Sequence, residues 1–224
     1  MTNSASIFSR LPVTRRDVLG AFAAAAVASA VPLSASAQAA SPAANSATAQ
    51  AIADHFSGVA TMQGEFVQFG PRGEQTGGKF FIERPGKLRF NYDDPSPMRV
   101  IADGKNVAIG NVKLKTWDLY PLSKTPLSLL LAPHIDLSAG MVKGVKEESD
   151  LTTISLGNNT VFGNSTITMM FDPKTYDLRQ WTITDNQGKD TSVMIFNVKT
   201  GVAFDERVFR VPYEDIKGTS ANRD

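Results

Sequence analysis

The chain has 224 residues, 42% of them apolar and 20% charged, with a formal net charge of +1, a mixture ordinary for a folded protein and unlike that of a disordered one. A pI near 7.9 provides no field strong enough to gather nucleic acid, so no nucleic-acid partner is expected. The absence of Cys excludes a disulfide framework, Cys-ligated zinc, thiol catalysis and the thioether lipid of a membrane-anchored lipoprotein.

The first segment reads as an address rather than as part of a fold. Thr14-Arg15-Arg16-Asp17-Val18-Leu19-Gly20 precedes an Ala-rich stretch, Ala21 to Ala30, and Ala35-Ser36-Ala37 follows it as a small-x-small cleavage pattern. A charged segment, a short apolar one and an A-x-A site predict a signal peptide over residues 1–37. The apolar run from Val18 to Val31 falls short of the roughly 20 residues that a spanning helix needs. The paired arginines resemble a twin-arginine signal, with an ordinary secretory signal as the alternative because Gly20 stands where a Lys is usual. Either route predicts a soluble periplasmic chain beginning near Gln38. Cleavage removes Arg10, Arg15, Arg16 and Asp17 and turns the net charge slightly negative. What remains suits one domain with one core.

Residues 38–46, rich in Ala, Ser and Pro, predict a short flexible leader. Ala49, Ile52, Ala53, Phe56 and Ala60 then recur at helical spacing, predicting an amphipathic helix from about Ala47 to Val59. Beyond it the period changes to two. Phe80 and Ile82 alternate with Lys79 and Glu83; Leu88, Phe90 and Tyr92 alternate with Lys87, Arg89 and Asn91. Ile167, Met169 and Phe171 alternate with threonines, and so do Trp181 and Ile183. These are half-buried antiparallel strands. Turn chemistry separates them at Pro71-Arg72-Gly73, Pro85-Gly86, Asp103-Gly104, Gly157-Asn158-Asn159, Asp172-Pro173 and Asn186-Gln187-Gly188. About ten short strands at hairpin spacing predict a meander that closes into a barrel or curls towards one.

One segment breaks the meander. Thr125-Pro126-Leu127-Ser128-Leu129-Leu130-Leu131-Ala132-Pro133 predicts a short helix with Thr125 as N-cap, Pro126 at the first helical position and Pro133 as its stop. Its leucines occupy most of the circumference, so it is buried on several sides, either as a plug for the open side of a curled sheet or as a short core helix.

Catalytic apparatus is missing. His55 in the first helix and His134 in a loop stand alone, and no zinc, nucleophile-elbow or phosphate-loop motif occurs. Asp93-Asp94 and Glu147-Glu148 are sequence neighbours that a strand would point to opposite faces, so neither makes a carboxylate dyad. No enzyme activity, metal or cofactor is expected. The positive signal is apolar area without chemistry: a curled sheet and a displaceable apolar helix could shelter acyl chains from water and hide the same surface when empty.

Taken in order, Gly64-Glu65-Phe66-Val67-Gln68, Gly78 through Phe90, Ile101-Ala102-Asp103-Gly104-Lys105-Asn106-Val107, Thr125 through Ala132, Asp185-Asn186-Gln187-Gly188 and Phe209-Arg210-Val211-Pro212 resemble the periplasmic outer-membrane lipoprotein carrier family, LolA. The resemblance covers about residues 47–213, the expected carrier domain, and leaves 214–224 as a C-terminal tail. It implies a mainly β fold with α: an unclosed antiparallel barrel in which the N-terminal helix and the short internal helix form a lid over a hydrophobic cavity. It implies a non-enzymatic, monomeric carrier that receives triacylated lipoproteins from an inner-membrane ABC transporter and delivers them to the outer membrane, with or without a separate receptor there. Carriage of another envelope lipid, or a binding or sensor role on the same fold, are the alternatives. The family's arginine before a Pro corresponds to Arg84, which by resemblance holds the lid closed through backbone carbonyls and from the residues alone reads as an exposed strand-end arginine. The lid helix is then Pro126, Leu127, Leu129, Leu130 and Leu131. Strand parity assigns the cavity lining to Phe66, Phe80, Ile82, Leu88, Phe90, Ile167, Met169, Phe171, Trp181 and Ile183. The anchored relative LolB needs a lipidated Cys that this chain lacks, and the two-domain regulator RseB needs more chain than is present.

Overall fold

A computed structural model describes residues 47–137, 141–160 and 163–220. The expected signal peptide (1–37) and leader (38–46) lie outside the described residues. The first element, α1 (Ala47–Gly58), buries Ala49, Ile52, Ala53 and Phe56, the helical stripe that the sequence predicts.

Eleven antiparallel strands follow: β1 (Thr61–Phe69), β2 (Gln75–Glu83), β3 (Lys87–Tyr92), β4 (Met98–Asp103), β5 (Asn106–Asn111), β6 (Thr116–Pro121), β7 (Val142–Glu147), β8 (Thr152–Thr160), β9 (Gly163–Phe171), β10 (Leu178–Thr184) and β11 (Asp190–Thr200). They form one sheet in the order β6-β5-β4-β3-β2-β1-β11-β10-β9-β8-β7. Two meanders, β1–β6 and β7–β11, are thus joined by the long-range pairing of β1 with β11, where Phe66 faces Ile195. Consecutive strands β6 and β7 are the two outer edges of the sheet, which is therefore an open sheet and not a closed barrel. The connection between these edges carries a 3-10 turn, Leu122–Lys124, and the helix α2 (Leu127–Leu130).

Alternation decides the faces. One face of the sheet presents Met62, Phe66, Phe80, Ile82, Leu88, Phe90, Ile154, Ile167, Met169, Phe171 and Trp181, each at most 5% exposed, to a single cluster that also contains the buried stripe of α1 and Leu129, Leu130 and Leu131. Glycine at 78 permits the closest strand approach: a Cβ there would come within 2.0 Å of the Asn91 carbonyl oxygen on β3. Gly78→Ala is therefore expected to force β2 and β3 apart and cost about 3 kcal/mol or more, read as a lowered denaturation midpoint.

The opposite, outer face is crossed by the chain after β11. Phe204 packs edge-on against Phe81 and Phe209, and Val211 joins Ile101, Ala108 and Trp117 in a second buried cluster. Where the sequence reading ends the domain and begins a tail, helix α3 (Tyr213–Ser220) continues this belt. The Tyr213 hydroxyl donates to Asp103 Oδ2 at 2.6 Å and accepts from Asn106 Nδ2 at 2.9 Å.

Two local expectations are corrected. Gly157-Asn158-Asn159 is not a turn but lies inside β8, where Asn158 and Asn159 pair with Ser165 and Asn164 of β9. A paired neighbour satisfies the backbone and outweighs the turn preference of Gly and Asn. The leucine-rich helix is a single turn. Thr125 does not cap it: its hydroxyl donates back to the Leu122 carbonyl at 2.8 Å, and Pro126 takes the N-cap position. The turn ends at Leu130, before Pro133 can act, because Leu131 leaves helical geometry at ψ 7°.

Candidate functional site

The hairpin between β2 and β3 turns through Arg84-Pro85-Gly86, with Gly86 at φ +81°, a conformation that glycine adopts freely. This turn faces both helices. The Arg84 amide donates to the Ala60 carbonyl at 2.8 Å, just beyond α1, and the Gly86 amide donates to the Leu131 carbonyl at 3.0 Å, at the end of α2. The Arg84 side chain folds inward and is only 8% exposed. Its Nη2 donates to the carbonyls of Phe56 and Val59, and its guanidinium carbon stacks 4.0 Å from the centre of the Phe56 ring. A cation at the carboxyl end of α1 also meets the negative pole of the helix dipole. Burial lowers the guanidinium from its ordinary value to about 10, which leaves it charged at neutral pH. Arg84 Nε and Nη1 have no acceptor among the described residues, so the arrangement is strong but incompletely satisfied. A further tie joins α1 to the segment that follows α2, from the Ile135 amide to Ser57 Oγ at 3.2 Å.

Beneath the turn, the ten residues assigned to a cavity share the inner face. Nine are in the buried cluster, and Ile183 is partly buried against it. Aromatic contacts run through them: Phe66 meets Phe90 edge-on at 4.7 Å and Tyr92 at 5.1 Å, Phe56 of α1 meets Phe171 at 5.4 Å, and Phe90 tilts against Trp181 at 6.0 Å. Pro126, Leu129, Leu130 and Leu131 are buried and Leu127 is half-buried. Side chains of α1 and α2 thus occupy the space that the sequence reading left for a hollow. A crevice of about 310 Å³ opens at the rim, lined by His55, Phe56, Val59, Met62, Tyr176 and Leu178 among others. His55 is a surface residue there, its Nε2 lying 3.8 Å from Asp177 Oδ1.

The resemblance implied backbone carbonyls as partners of Arg84 but not which ones. Every residue carries a carbonyl, so nothing in the side chains at 56, 59 or 60 marks those that accept from Arg84. A hydroxyl at the edge of the cluster adds a pH signature. Burial pushes Tyr92 up to about 12 although its hydroxyl donates to Gln68 Oε1 at 2.7 Å. The folded pKa lies above the unfolded value of about 10, so the associated stability is intact below pH 10 and lost as pH rises through 12. Alkaline titration of unfolding should show a loss of about 2 kcal/mol across that window, absent in Tyr92→Phe. Among the described residues no group of three or more His, Cys, Asp or Glu could hold a metal ion.

The model of the family described as outer membrane lipoprotein carrier protein LolA matches residues 57–212. The chain belongs to the LolA family. The match takes in the Arg84 turn, α2 and the whole sheet. Relatives named outer-membrane lipoprotein carrier protein include one from Methylococcus capsulatus, 25% identical over 67% of this chain and 76% of that protein, and one from Pseudomonas aeruginosa strain PAO1, 26% identical over 74% and 83%. One from Halorhodospira halophila is 33% identical over 39% of this chain. The chain spans 47% of the length of that last relative, and 31% of another from Alkalilimnicola ehrlichii. A LolA superfamily protein of known structure from Nitrosomonas europaea aligns over 75% of this chain and 100% of its own, at 9% identity and a TM-score of 0.42.

Proposed function

We propose that this LolA-family protein is a periplasmic carrier of acylated lipoproteins, exported by the signal in residues 1–37 and not an enzyme. It accepts triacylated cargo from an inner-membrane ABC transporter and gives it up at the outer membrane, with or without a receptor there. The acyl chains replace α1 and α2 against the inner face, contacting Phe66, Phe80, Ile82, Leu88, Phe90, Ile167, Met169, Phe171, Trp181 and Ile183, and Arg84 is the latch that closes the lid when the cargo leaves.

One observation carries this reading: both helices hang from the single turn Arg84–Gly86 through backbone carbonyls, while what they cover is predominantly apolar. Magnitudes agree with reversible carriage. Charge-assisted hydrogen bonds contribute about 1.5–3 kcal/mol each. Each acyl methylene buried contributes about 0.8 kcal/mol, so a handful of methylenes offsets the latch. A lid that opened at no cost would bind without release, and one tied more firmly would exclude cargo. The unpaired Nε and Nη1 of Arg84 keep the closed state in that middle range.

The test is release. The purified protein should take lipoproteins from inner-membrane vesicles that contain the transporter and should appear with them in the soluble fraction. No uptake in the presence of active transporter would overturn the proposal. Free lipid without lipoprotein, found by mass spectrometry of the protein purified from its own periplasm, would replace it with carriage of another lipid.

A further inference from the structure

The outer face of the sheet holds cations without counter-ions. Arg89 on β3 faces Ile101 on β4, and Asn91 faces Arg99, which makes the two arginines diagonal neighbours on the face away from the core. Lys79 on β2 faces Asn91 from the other side. Elsewhere Arg72, Arg179 and Arg207 each pair with a carboxylate, Glu74, Asp172 and Asp205. Neither Arg89 nor Arg99 does so among the described residues, and Glu65, which faces Lys79, forms no ion pair with it. Arg89 is held in place by donation from Nε to Asn91 Oδ1 at 2.8 Å and from Nη1 to the Val208 carbonyl at 2.9 Å. Burial, and after it the charge of Arg99, hold the Arg89 guanidinium below its ordinary range.

Two buried donors on the same row lack acceptors. Arg99 Nε is one and Trp117 Nε1, in a side chain 9% exposed, is the other. Across the ladder the row runs Asn91, Arg99, Gly110, Trp117. The indole lies over Gly110: a Cβ there would come within 2.5 Å of its Cδ2 and Cε3. A crevice of about 360 Å³ opens beside Arg89, between β2, β3 and the belt, lined by Phe81, Arg89, Asn91, Asp205, Arg207 and Val208. Asp205 in it is already engaged by Arg207 at 2.9 and 2.7 Å. Because Asn91 Oδ1 accepts from Arg89, its amide nitrogen remains a donor. Like charges gathered in a half-buried patch repel, and orphaned donors are costly, unless an acceptor-rich anion bridges them.

We propose that this patch, built on Arg89, Asn91 and Arg99, binds a phosphate group, whose oxygens offer guanidinium forks several acceptors at once. The phosphate comes either from the headgroup of an anionic lipid or from solution. The site lies on the face opposite the lid and does not depend on the carrier reading.

The experiment titrates the ¹⁵N-labelled full chain with inorganic phosphate at constant ionic strength. The Trp117 indole and Arg99 Nε–H resonances should shift saturably. Arg89→Gln and Arg99→Gln should each weaken the response at least tenfold, and Arg72→Gln, on a remote paired arginine, should leave it unchanged. A second arm measures cosedimentation with vesicles of phosphatidylglycerol against phosphatidylcholine. Retention on the anionic vesicles alone, lost in the double variant, identifies the headgroup as the source; a phosphate response without retention identifies a soluble phosphate. If the wild-type chain gives neither a saturable shift nor selective retention, or if folded variants respond like wild type, the site does not exist. The wild-type titration decides this even where a variant fails to fold.

Discussion

An Arg84→Leu variant should load and fail to unload. The substitution removes both donations to the Phe56 and Val59 carbonyls and the stacking on the Phe56 ring. At about 1.5–3 kcal/mol for each charge-assisted bond, the closed state loses roughly 3–6 kcal/mol relative to the open one. Those two carbonyls also lose their charged partner, and the leucine side chain favours the apolar surroundings. The inner face is untouched, so the affinity for acyl chains proposed for it should stay. A hydrophobic dye should therefore bind the empty variant more brightly than wild type. Transfer from loaded variant to outer-membrane vesicles should fall at least tenfold. Arg84→Lys keeps the charge but not the planar fork, and should lie between. Equal transfer rates for wild type and Arg84→Leu would remove the latch from the mechanism while leaving the cavity assignment standing.

Phe66→Ala tests the inner face by its energetics. Phe66 is 1% exposed and stands edge-on to Phe90 and Tyr92 on the strand that joins the two meanders. Truncating such a ring costs about 3–5 kcal/mol. For a domain of this size that lowers the melting temperature by roughly 10 °C. The cost should fall on the empty protein above all, since an acyl chain can fill the void that the missing ring leaves. Thermal denaturation with and without bound cargo measures this. A stabilisation by cargo larger in Phe66→Ala than in wild type is expected; equal stabilisation would place the chains elsewhere than beside Phe66.

Much of this was legible in the residues. Period-two alternation identified the inner-face side chains correctly from Phe66 to Ile183, because a strand buried on one face leaves its apolar residues no other place to go. Helical spacing located α1, and four leucines within the five residues 127–131 announced a buried turn. The faces failed to announce two other things. One is the belt: Phe204, Phe209 and Val211 cover outer-face residues such as Ile101 and Trp117, and an apolar residue on the wet side of a strand does not say what will cover it. The other is the length of β8, where ladder pairing overrode the turn residues Gly157-Asn158-Asn159.

Local chemistry, read along the chain, was enough to establish which residues are apolar on which face, and so that the protein is a mainly antiparallel β structure with an N-terminal helix and a short internal one. Contacts distant in sequence decided the remainder. The pairing of β1 with β11, the donation of Arg84 to carbonyls of α1, and the row that sets Arg99 beside Gly110 and Trp117 all join segments whose separation no periodicity encodes. Backbone carbonyls are identical at every position, and only the folded chain determines which of them come within reach of a guanidinium.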